Sequence, residues 1–210
     1  MRGTYLAVAS LLFSACAGCL SRPPSPDQAL PLMSPELDVR CSSVLLDATH
    51  VLTAAHCIKE PVVMVSCAGR FLPATVIKYS QEAELAELEL QEACDQRFTK
   101  VASSNPVQGT QVQAIGCPLG KCGRITQGVV SDYGASMGHA VLITDTPTWF
   151  GNSGGGLYNM RGELVGIASQ ISCDFRPFSM GGATVPGQYC LGYFIPAVSI
   201  KAFLDSAETI

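Results

Sequence analysis

Charged residues are scarce in this chain, and the apolar run near its N-terminus is short. Only 14% of the residues are charged and the net charge is −4, so the sequence offers no basic footprint for nucleic acid. The run from Tyr5 to Phe13 is too short to cross a bilayer as a helix. The 20 glycines and 13 prolines favour an all-β or loop-rich protein over a helical bundle.

The first residues have the layout of a secretory signal. Arg2 supplies a positive charge before the apolar run, and small residues and cysteines follow that run. The stretch FSAC, which ends at Cys16, resembles a bacterial lipobox; CAGC, which ends at Cys19, is an alternative site, and ordinary cleavage near Ala17 is another. We therefore assign residues 1–19 to a signal and lipobox region. We expect an exported protein. It is either secreted, or anchored to a membrane through lipid on Cys16 or Cys19, in which case it lies in the periplasm or at the cell surface.

A proline-rich segment follows the signal region. Residues 21–35 contain five prolines and show no apolar periodicity, which is typical of an extended linker. The composition predicts a tether over residues 20–36 and a single folded domain over residues 37–210.

The remaining eight cysteines form an even set that suits disulfides in an oxidising compartment. None of the eight forms a C-x-x-C pair and only His56 lies beside one of them, so the spacing of a zinc site is absent. The sequence implies no metal and no cofactor. The eight are Cys41, Cys57, Cys67, Cys94, Cys117, Cys122, Cys173 and Cys190.

Two segments contain residues typical of nucleophilic catalysis. In CSSVLLDATHVLTAAHC, residues 41–57, two short β-type runs lead to His56, whereas His50 is interpreted as structural. In GNSGGGL, residues 151–157, Ser153 lies among glycines that allow successive N–H groups to converge on one point. A serine hydroxyl is a poor nucleophile unless a neighbouring imidazole takes its proton. Ser153 and His56 are therefore the predicted nucleophile and base.

These two segments together resemble the histidine and serine motifs of trypsin-like, chymotrypsin-fold serine proteases. The stretches QGVVSDYG and LGYFIPAVSIKAFL are further similar to the bacterial HtrA-type protease domain, here without a PDZ domain. The resemblance implies an all-β fold of two six-stranded antiparallel barrels with a short C-terminal helix, stabilised by disulfides. It also implies an oxyanion hole formed by the N–H groups of Gly151 and Ser153.

The same resemblance implies a pocket and a disulfide pattern. The specificity pocket is expected around Pro147, Thr148 and Gly192; Pro147 stands where trypsin places an aspartate, so a small or medium apolar side chain is expected there instead of Arg or Lys. The implied disulfides are Cys41–Cys57, Cys117–Cys122 and Cys173–Cys190, and Cys67–Cys94 remains as the fourth pair.

The third member of a Ser-His-acid triad is the ambiguous one. The segment ELAELEL, residues 84–90, matches the family's Asp-Leu-Ala strand with Glu84 in place of aspartate. Its composition favours a helix, but alternation along the segment slightly favours a strand, and tertiary context commonly overrides propensity. We predict a strand with Glu84 as the acid. The poorer candidates are Glu82, Asp95 and Asp47; without any acid the site is a Ser-His dyad or has lost activity.

The sequence thus predicts an exported serine endopeptidase that acts on protein or peptide substrates. Acyl transfer by His56, Glu84 and Ser153 needs no cofactor. The low content of charged residues also gives no reason to expect nucleic acid as a partner. The alternative is a weakly active or inactive pseudoprotease that serves as a binding module at the cell surface. The oligomeric state does not follow from the sequence.

Overall fold

Short strands dominate the computed structural model, which describes residues 22–33, 39–181, 183–185 and 189–207. Within these residues the chain forms fourteen strands and one α-helix. The strands are β1 Leu30–Met33, β2 Val39–Leu45, β3 His50–Ala54, β4 Val62–Cys67, β5 Arg70–Ser80, β6 Leu85–Leu90, β7 Gln111–Gly116, β8 Arg124–Ser136, β9 His139–Thr144, β10 Gly156–Asn159, β11 Leu164–Asp174, β12 Phe178–Met180, β13 Ala183–Val185 and β14 Tyr189–Pro196. The helix α1 covers Ala197–Asp205.

Twelve of the strands close into two antiparallel barrels of six strands each. The first barrel has the order β1-β2-β3-β6-β5-β4 and the second β10-β11-β14-β9-β8-β7, while β12 and β13 form a separate hairpin. The helix α1 follows Pro196 and buries one face, Ala197, Ile200 and Phe203, at the three-residue spacing expected of an amphipathic helix. The predicted fold class is confirmed.

An apolar cluster joins the two barrels. Val44 and Leu52 of the first barrel and Ile115 and Ile167 of the second belong to one set of side chains that are almost completely buried. Burying each such side chain stabilises the fold by about 1.5–3 kcal/mol. The seam between the barrels is therefore a rigid place to hold side chains from distant parts of the sequence.

The segment with helical composition, ELAELEL, is a strand as predicted. β6 begins at Leu85, one residue after the predicted start, and pairs with β3 on one side and β5 on the other. Ala86, Leu88 and Leu90 are buried, while Glu89 is exposed. Pairing on both edges and burial of the apolar face outweigh the helix propensity of alanine, leucine and glutamate.

The N-terminal segment differs from the prediction of a tether over residues 20–36. Leu30–Met33 forms β1, which pairs with both β2 and β4 and so closes the first barrel, and three of its four residues are buried. Further upstream, the guanidinium of Arg97 donates to the carbonyls of Arg22 at 2.8 Å and Pro23 at 2.6 Å. A strand of four residues is too short to show an alternation of apolar and polar residues, and the surrounding prolines suggested an extended linker. The prediction of a tether over these residues was therefore wrong. The folded domain begins before residue 37.

The part of the chain proposed as signal and lipobox, including Cys16 and Cys19, lies outside the described residues. No helix within the described part is long and apolar enough to cross a membrane. Four disulfides join the other eight cysteines in the pairs named above: Cys41–Cys57, Cys67–Cys94, Cys117–Cys122 and Cys173–Cys190.

Candidate active site

His56 lies in a single 3-10 turn, Ala55–Cys57, directly after β3. The next residue, Cys57, is bonded to Cys41 of β2, so the disulfide fixes the turn against the neighbouring strand. The His56 side chain is 42% exposed and faces the seam between the barrels. The turn and the disulfide therefore restrict the backbone that carries the His56 imidazole.

Glu84 contacts the Nδ1 atom of His56 through Oε1. The glutamate precedes β6, and its side chain is only 6% exposed. The N–H of Ala55 donates to the Glu84 carbonyl at 3.1 Å, which ties the backbone beside the histidine to that of the acid. A carboxylate on Nδ1 holds the imidazole with Nε2 directed away from it, as a triad requires.

The other acids considered from the sequence are engaged elsewhere or exposed. The Asp47 carboxylate contacts Nδ1 of His50 at 2.9 Å and accepts the N–H of Thr49 at 2.9 Å. Partial burial raises the pKa of Asp47, but the hydrogen bonds from Thr49 and His50 outweigh burial and lower it overall. Glu82 and Asp95 are exposed. Of the four acids, the structure brings Glu84 against His56.

The turn before Ser153 requires glycine at position 151. The N–H of Asn152 donates to the carbonyl of Trp149 at 3.0 Å, and Gly151 has a φ of +94° at the third position of this turn. A Cβ atom at Gly151 would lie 2.5 Å from the carbonyl oxygen of Cys117, so no larger residue fits without a shift.

Two hydrogen bonds on the far side of this turn orient the N–H groups of Gly151 and Ser153. The carbonyl of Phe150 accepts from Leu119 at 2.9 Å, and the carbonyl of Asn152 accepts from Gly155 at 2.8 Å. Because a trans peptide points its N–H opposite to its C=O, the N–H groups that follow these carbonyls point the other way. Among the described residues, neither N–H donates to a protein acceptor. They are free to bind an oxyanion.

His56 and Ser153 line one cleft of about 370 Å³. The Ser153 hydroxyl lies 3.5 Å from the carbonyl of Ser169, a contact too long to hold it firmly. The other lining residues are Thr148, Trp149, Phe150, Ala168, Ser169, Gln170 and Ile171.

The expected pocket residues are not all in this cleft. Thr148 lines it, and Gly192 lies beside Thr148, because a Cβ there would be 2.7 Å from the Thr148 hydroxyl oxygen. Pro147 is not among the lining residues, and its carbonyl accepts a hydrogen bond from the Thr126 hydroxyl at 2.7 Å.

One wall of the cleft was missed by sequence reasoning. Residues 168–171 of β11 form it, and the N–H of Gly154 donates to the Ala168 carbonyl at 2.7 Å, which ties the serine loop to this strand. The available signal was the apolar run GELVGIAS that follows the serine motif. Trp149 and Phe150 form the rim, with their rings in an edge-to-face contact at 5.7 Å between centroids.

A second cleft of about 280 Å³ adjoins the first at His56, Ser169 and Gln170. Glu84 and Gln81 contribute to it from the first barrel, and Met137 and His139 from the β8–β9 hairpin. The two clefts form a groove that continues past the histidine instead of ending at it.

Comparisons with known proteins agree with this geometry. In sequence, the chain is 36% identical over 129 residues to a probable periplasmic serine endoprotease DegP-like of Pseudomonas fluorescens, covering 58% of this chain and 27% of that protein. It is 30% identical over 170 residues to the periplasmic serine endoprotease DegP of Escherichia coli K12, covering 76% of this chain and 34% of that protein. The chain therefore spans about a third or less of these relatives.

Solved structures share the fold. The active form of the Rv3671c protease of M. tuberculosis superimposes with a TM-score of 0.69 at 17% identity, covering 89% of this chain and 83% of that chain. A serine endoprotease from Yersinia pestis superimposes with a TM-score of 0.66 at 26% identity, covering 86% and 62%. The model of the trypsin-like peptidase domain matches residues 41–167, a span that contains His56, Glu84 and Ser153. The chain thus belongs to the trypsin-like peptidase family.

Proposed function

We propose that this chain is an exported endopeptidase that hydrolyses peptide bonds through an acyl-enzyme, with Ser153, His56 and Glu84 as its triad. The observation that supports this most is the buried Glu84 carboxylate on Nδ1 of His56, whose imidazole shares a cleft with Ser153. In this mechanism His56 takes the proton of the Ser153 hydroxyl as the oxygen attacks the scissile carbonyl, and Glu84 stabilises the imidazolium.

The oxyanion of the tetrahedral intermediate is bound by the N–H groups of Gly151 and Ser153. Their free donors on the cleft side of the serine turn support this assignment. His56 then returns the proton to the leaving amine, which departs and leaves the acyl group on Ser153. Water, activated by the same imidazole, hydrolyses the ester and restores the enzyme.

Cleavage within a chain, instead of at its end, is supported by the groove that continues on both sides of His56. For the residue before the scissile bond we propose a small or medium apolar side chain. Ile171 and Thr148 line the cleft, and the Phe194 ring fills the space beside Gly192, where a Cβ would be 2.8 Å from it. Peptides that differ only at this residue test the preference: alanine or valine is expected to be cleaved faster than arginine or lysine.

Export is supported by the four disulfides and by the periplasmic location given for the relatives from P. fluorescens and E. coli. We also propose that lipid on Cys16, or on Cys19, anchors the protein to a membrane. Labelling with a fatty-acid analogue in cells that produce the wild type, Cys16→Ala or Cys19→Ala identifies the modified cysteine. Equal labelling of all three proteins, or labelling of none, contradicts a lipid on either.

A fluorophosphonate probe tests the enzyme proposal directly. The wild type is expected to be labelled on Ser153, and Ser153→Ala is expected to stay unlabelled because the nucleophile is gone. A folded wild type that cleaves no protein substrate and takes up no probe would sink the proposal and favour the pseudoprotease.

A further inference from the structure

A buried serine of the first barrel is hydrogen-bonded to the turn from Trp149 to Asn152, which is called the oxyanion turn below because it contains Gly151. Ser42 lies in β2 and has no exposed surface. Its hydroxyl donates to the carbonyl of Gly151 at 2.7 Å and accepts the N–H of Cys117 at 2.8 Å. Its own N–H donates to the Ser153 carbonyl at 2.7 Å. One residue thus contacts both members of the expected oxyanion hole and the disulfide loop that supports it.

These contacts matter because Gly151 has little intrinsic preference for its observed conformation. Glycine adopts positive and negative φ with similar ease, so the peptide units on either side of Gly151 can rotate at small cost unless they are held. The unit before it is held by the bond from Leu119 to the Phe150 carbonyl, and the unit after it by the Ser42 hydroxyl. Without the second bond, the Gly151–Asn152 unit can rotate, and the position of the Gly151 N–H relative to the Ser153 N–H is no longer fixed.

We propose that Ser42 is a positioning residue for catalysis: its hydroxyl fixes Gly151 so that the oxyanion hole is formed before substrate binds. The inference rests on the proposed function. Ser42 does not contact the reacting atoms, and its effect is transmitted through Gly151 and Ser153. Donors that are already oriented need no rearrangement when charge develops, which is the condition for a large electrostatic contribution to the rate.

The neighbouring residue, Ser43, provides a matched control. It is also completely buried in β2, and its hydroxyl donates to the carbonyl of Leu30 in β1 at 3.2 Å. Replacing either serine by alanine deletes one buried hydroxyl from the same strand. Only Ser42 is bonded to the oxyanion turn, so a structural cost is shared by both variants and a catalytic cost is confined to one.

The test compares Ser42→Ala and Ser43→Ala with the wild type on a peptide substrate and with a peptide aldehyde, which forms a tetrahedral oxyanion on the nucleophile. For Ser42→Ala we expect kcat to fall about 10- to 100-fold, less than the roughly 10²–10³-fold cost of removing an oxyanion donor outright, with KM within about twofold. The inhibition constant of the aldehyde should rise by a similar factor. For Ser43→Ala we expect a lower Tm with kcat and the inhibition constant within about twofold of wild type.

The outcomes separate the two proposals. If the wild type is active and Ser42→Ala and Ser43→Ala have equal kcat values, the proposed role of Ser42 is wrong, while the proposed function of the protein stands. Failure of a folded wild type to react with a fluorophosphonate overturns the proposed function, and the role of Ser42 with it. If Ser42→Ala does not fold, Ser42→Cys keeps the shape of the side chain with a somewhat larger atom at its end and weakens both hydrogen bonds. The same loss of kcat at unchanged KM then supports the role, and wild-type kcat overturns it.

Discussion

Glu84 reaches Nδ1 of His56 from a backbone in the left-handed region, with a φ of +58°. This conformation is uncommon for a residue other than glycine and costs of order 1–3 kcal/mol, so the surrounding bonds must maintain it. The N–H of Ala55 on the Glu84 carbonyl, and the N–H of Glu84 on the Gln81 carbonyl at 3.3 Å, hold the residue just before β6. The backbone and the side chain of Glu84 together place the carboxylate against Nδ1 of His56.

Glu84→Gln and Glu84→Asp are expected to lose activity to different extents. The amide of glutamine cannot stabilise the imidazolium, and we expect kcat to fall by up to about 10⁴-fold. Aspartate keeps the charge but withdraws it by one methylene, and a misplacement of about 1 Å costs about 10²-fold. The measurement is kcat on a protein or peptide substrate.

Glu82→Gln is the control for these variants, because Glu82 is exposed and lies two residues away. It should keep kcat within about twofold of wild type, since exposed substitutions rarely propagate. Wild-type activity in Glu84→Gln would remove Glu84 from the mechanism. Activity of Glu84→Asp at or above the wild-type level would show that the position does not favour the longer side chain.

The two residues predicted from local pattern, His56 and Ser153, line the same cleft. The segments around His56 and Ser153 each contain a strand, a turn and a functional side chain within about a dozen residues, so short-range information suffices. For the segment after Glu84 the prediction had to choose between helix and strand. Alternation along the segment favoured the strand, and β6 with its buried Ala86, Leu88 and Leu90 confirms it. The fold class, which the resemblance of these motifs to trypsin-like proteases implied, is confirmed by the two barrels.

Contacts between distant segments could not be predicted in this way. Ser42 and Gly151 are separated by 109 residues, and nothing in CSSV indicates that the first of two adjacent serines supports the oxyanion turn. β1 was missed for a related reason: a four-residue strand with a proline acquires its structure from β2 and β4, not from its own periodicity. Both features depend on tertiary pairing, which one sequence does not reveal.

A chain truncated to residues 37–210 is expected not to fold, although the sequence places the domain boundary there. The truncation removes Leu30, Leu32 and Met33, which are at most 4% exposed, and leaves β2 and β4 without their shared neighbour. Losing three buried apolar side chains costs about 5–9 kcal/mol, comparable to the whole stability of a typical domain.

A chain that begins at residue 22 is the matched comparison and should fold, because it keeps β1 and the two carbonyls that Arg97 binds. Circular dichroism and resistance to proteolysis distinguish the two truncations. A stable and soluble 37–210 fragment with native β-structure would show that β1 is dispensable.

Lys78→Met is expected to destabilise the protein without changing catalysis. Lys78 is largely buried, and its Nζ donates to the carbonyls of Leu204 at 3.1 Å and Ser206 at 2.5 Å, at the C-terminal end of α1. It also lies 5.1 Å from the centre of the Phe203 ring. Methionine keeps most of the volume but leaves the last carbonyls of the helix without a donor, which should cost about 1–3 kcal/mol.

Chemical denaturation measures this loss, with Lys201→Met as the control on the exposed face of the same helix. The control should change the free energy of unfolding by less than about 0.5 kcal/mol. Equal unfolding free energies for wild type and Lys78→Met would mean that the lysine does not stabilise the helix end.

Tyr158→Phe is expected to reduce the loss of stability at alkaline pH. The Tyr158 hydroxyl is completely buried beside the Thr99 hydroxyl at 3.3 Å and the Gln28 carbonyl at 3.4 Å, and burial raises the pKa of this phenol well above its ordinary value. Above about pH 10 the unfolded chain therefore releases a proton that the folded chain retains. Stability then falls with rising pH, by up to about 1.4 kcal/mol per unit for this group.

Urea unfolding between pH 8 and 11 should show a shallower decline for Tyr158→Phe, while Tyr189→Phe, at an exposed position, should follow the wild type. Identical pH dependence in all three proteins would mean that Tyr158 does not contribute to alkaline unfolding.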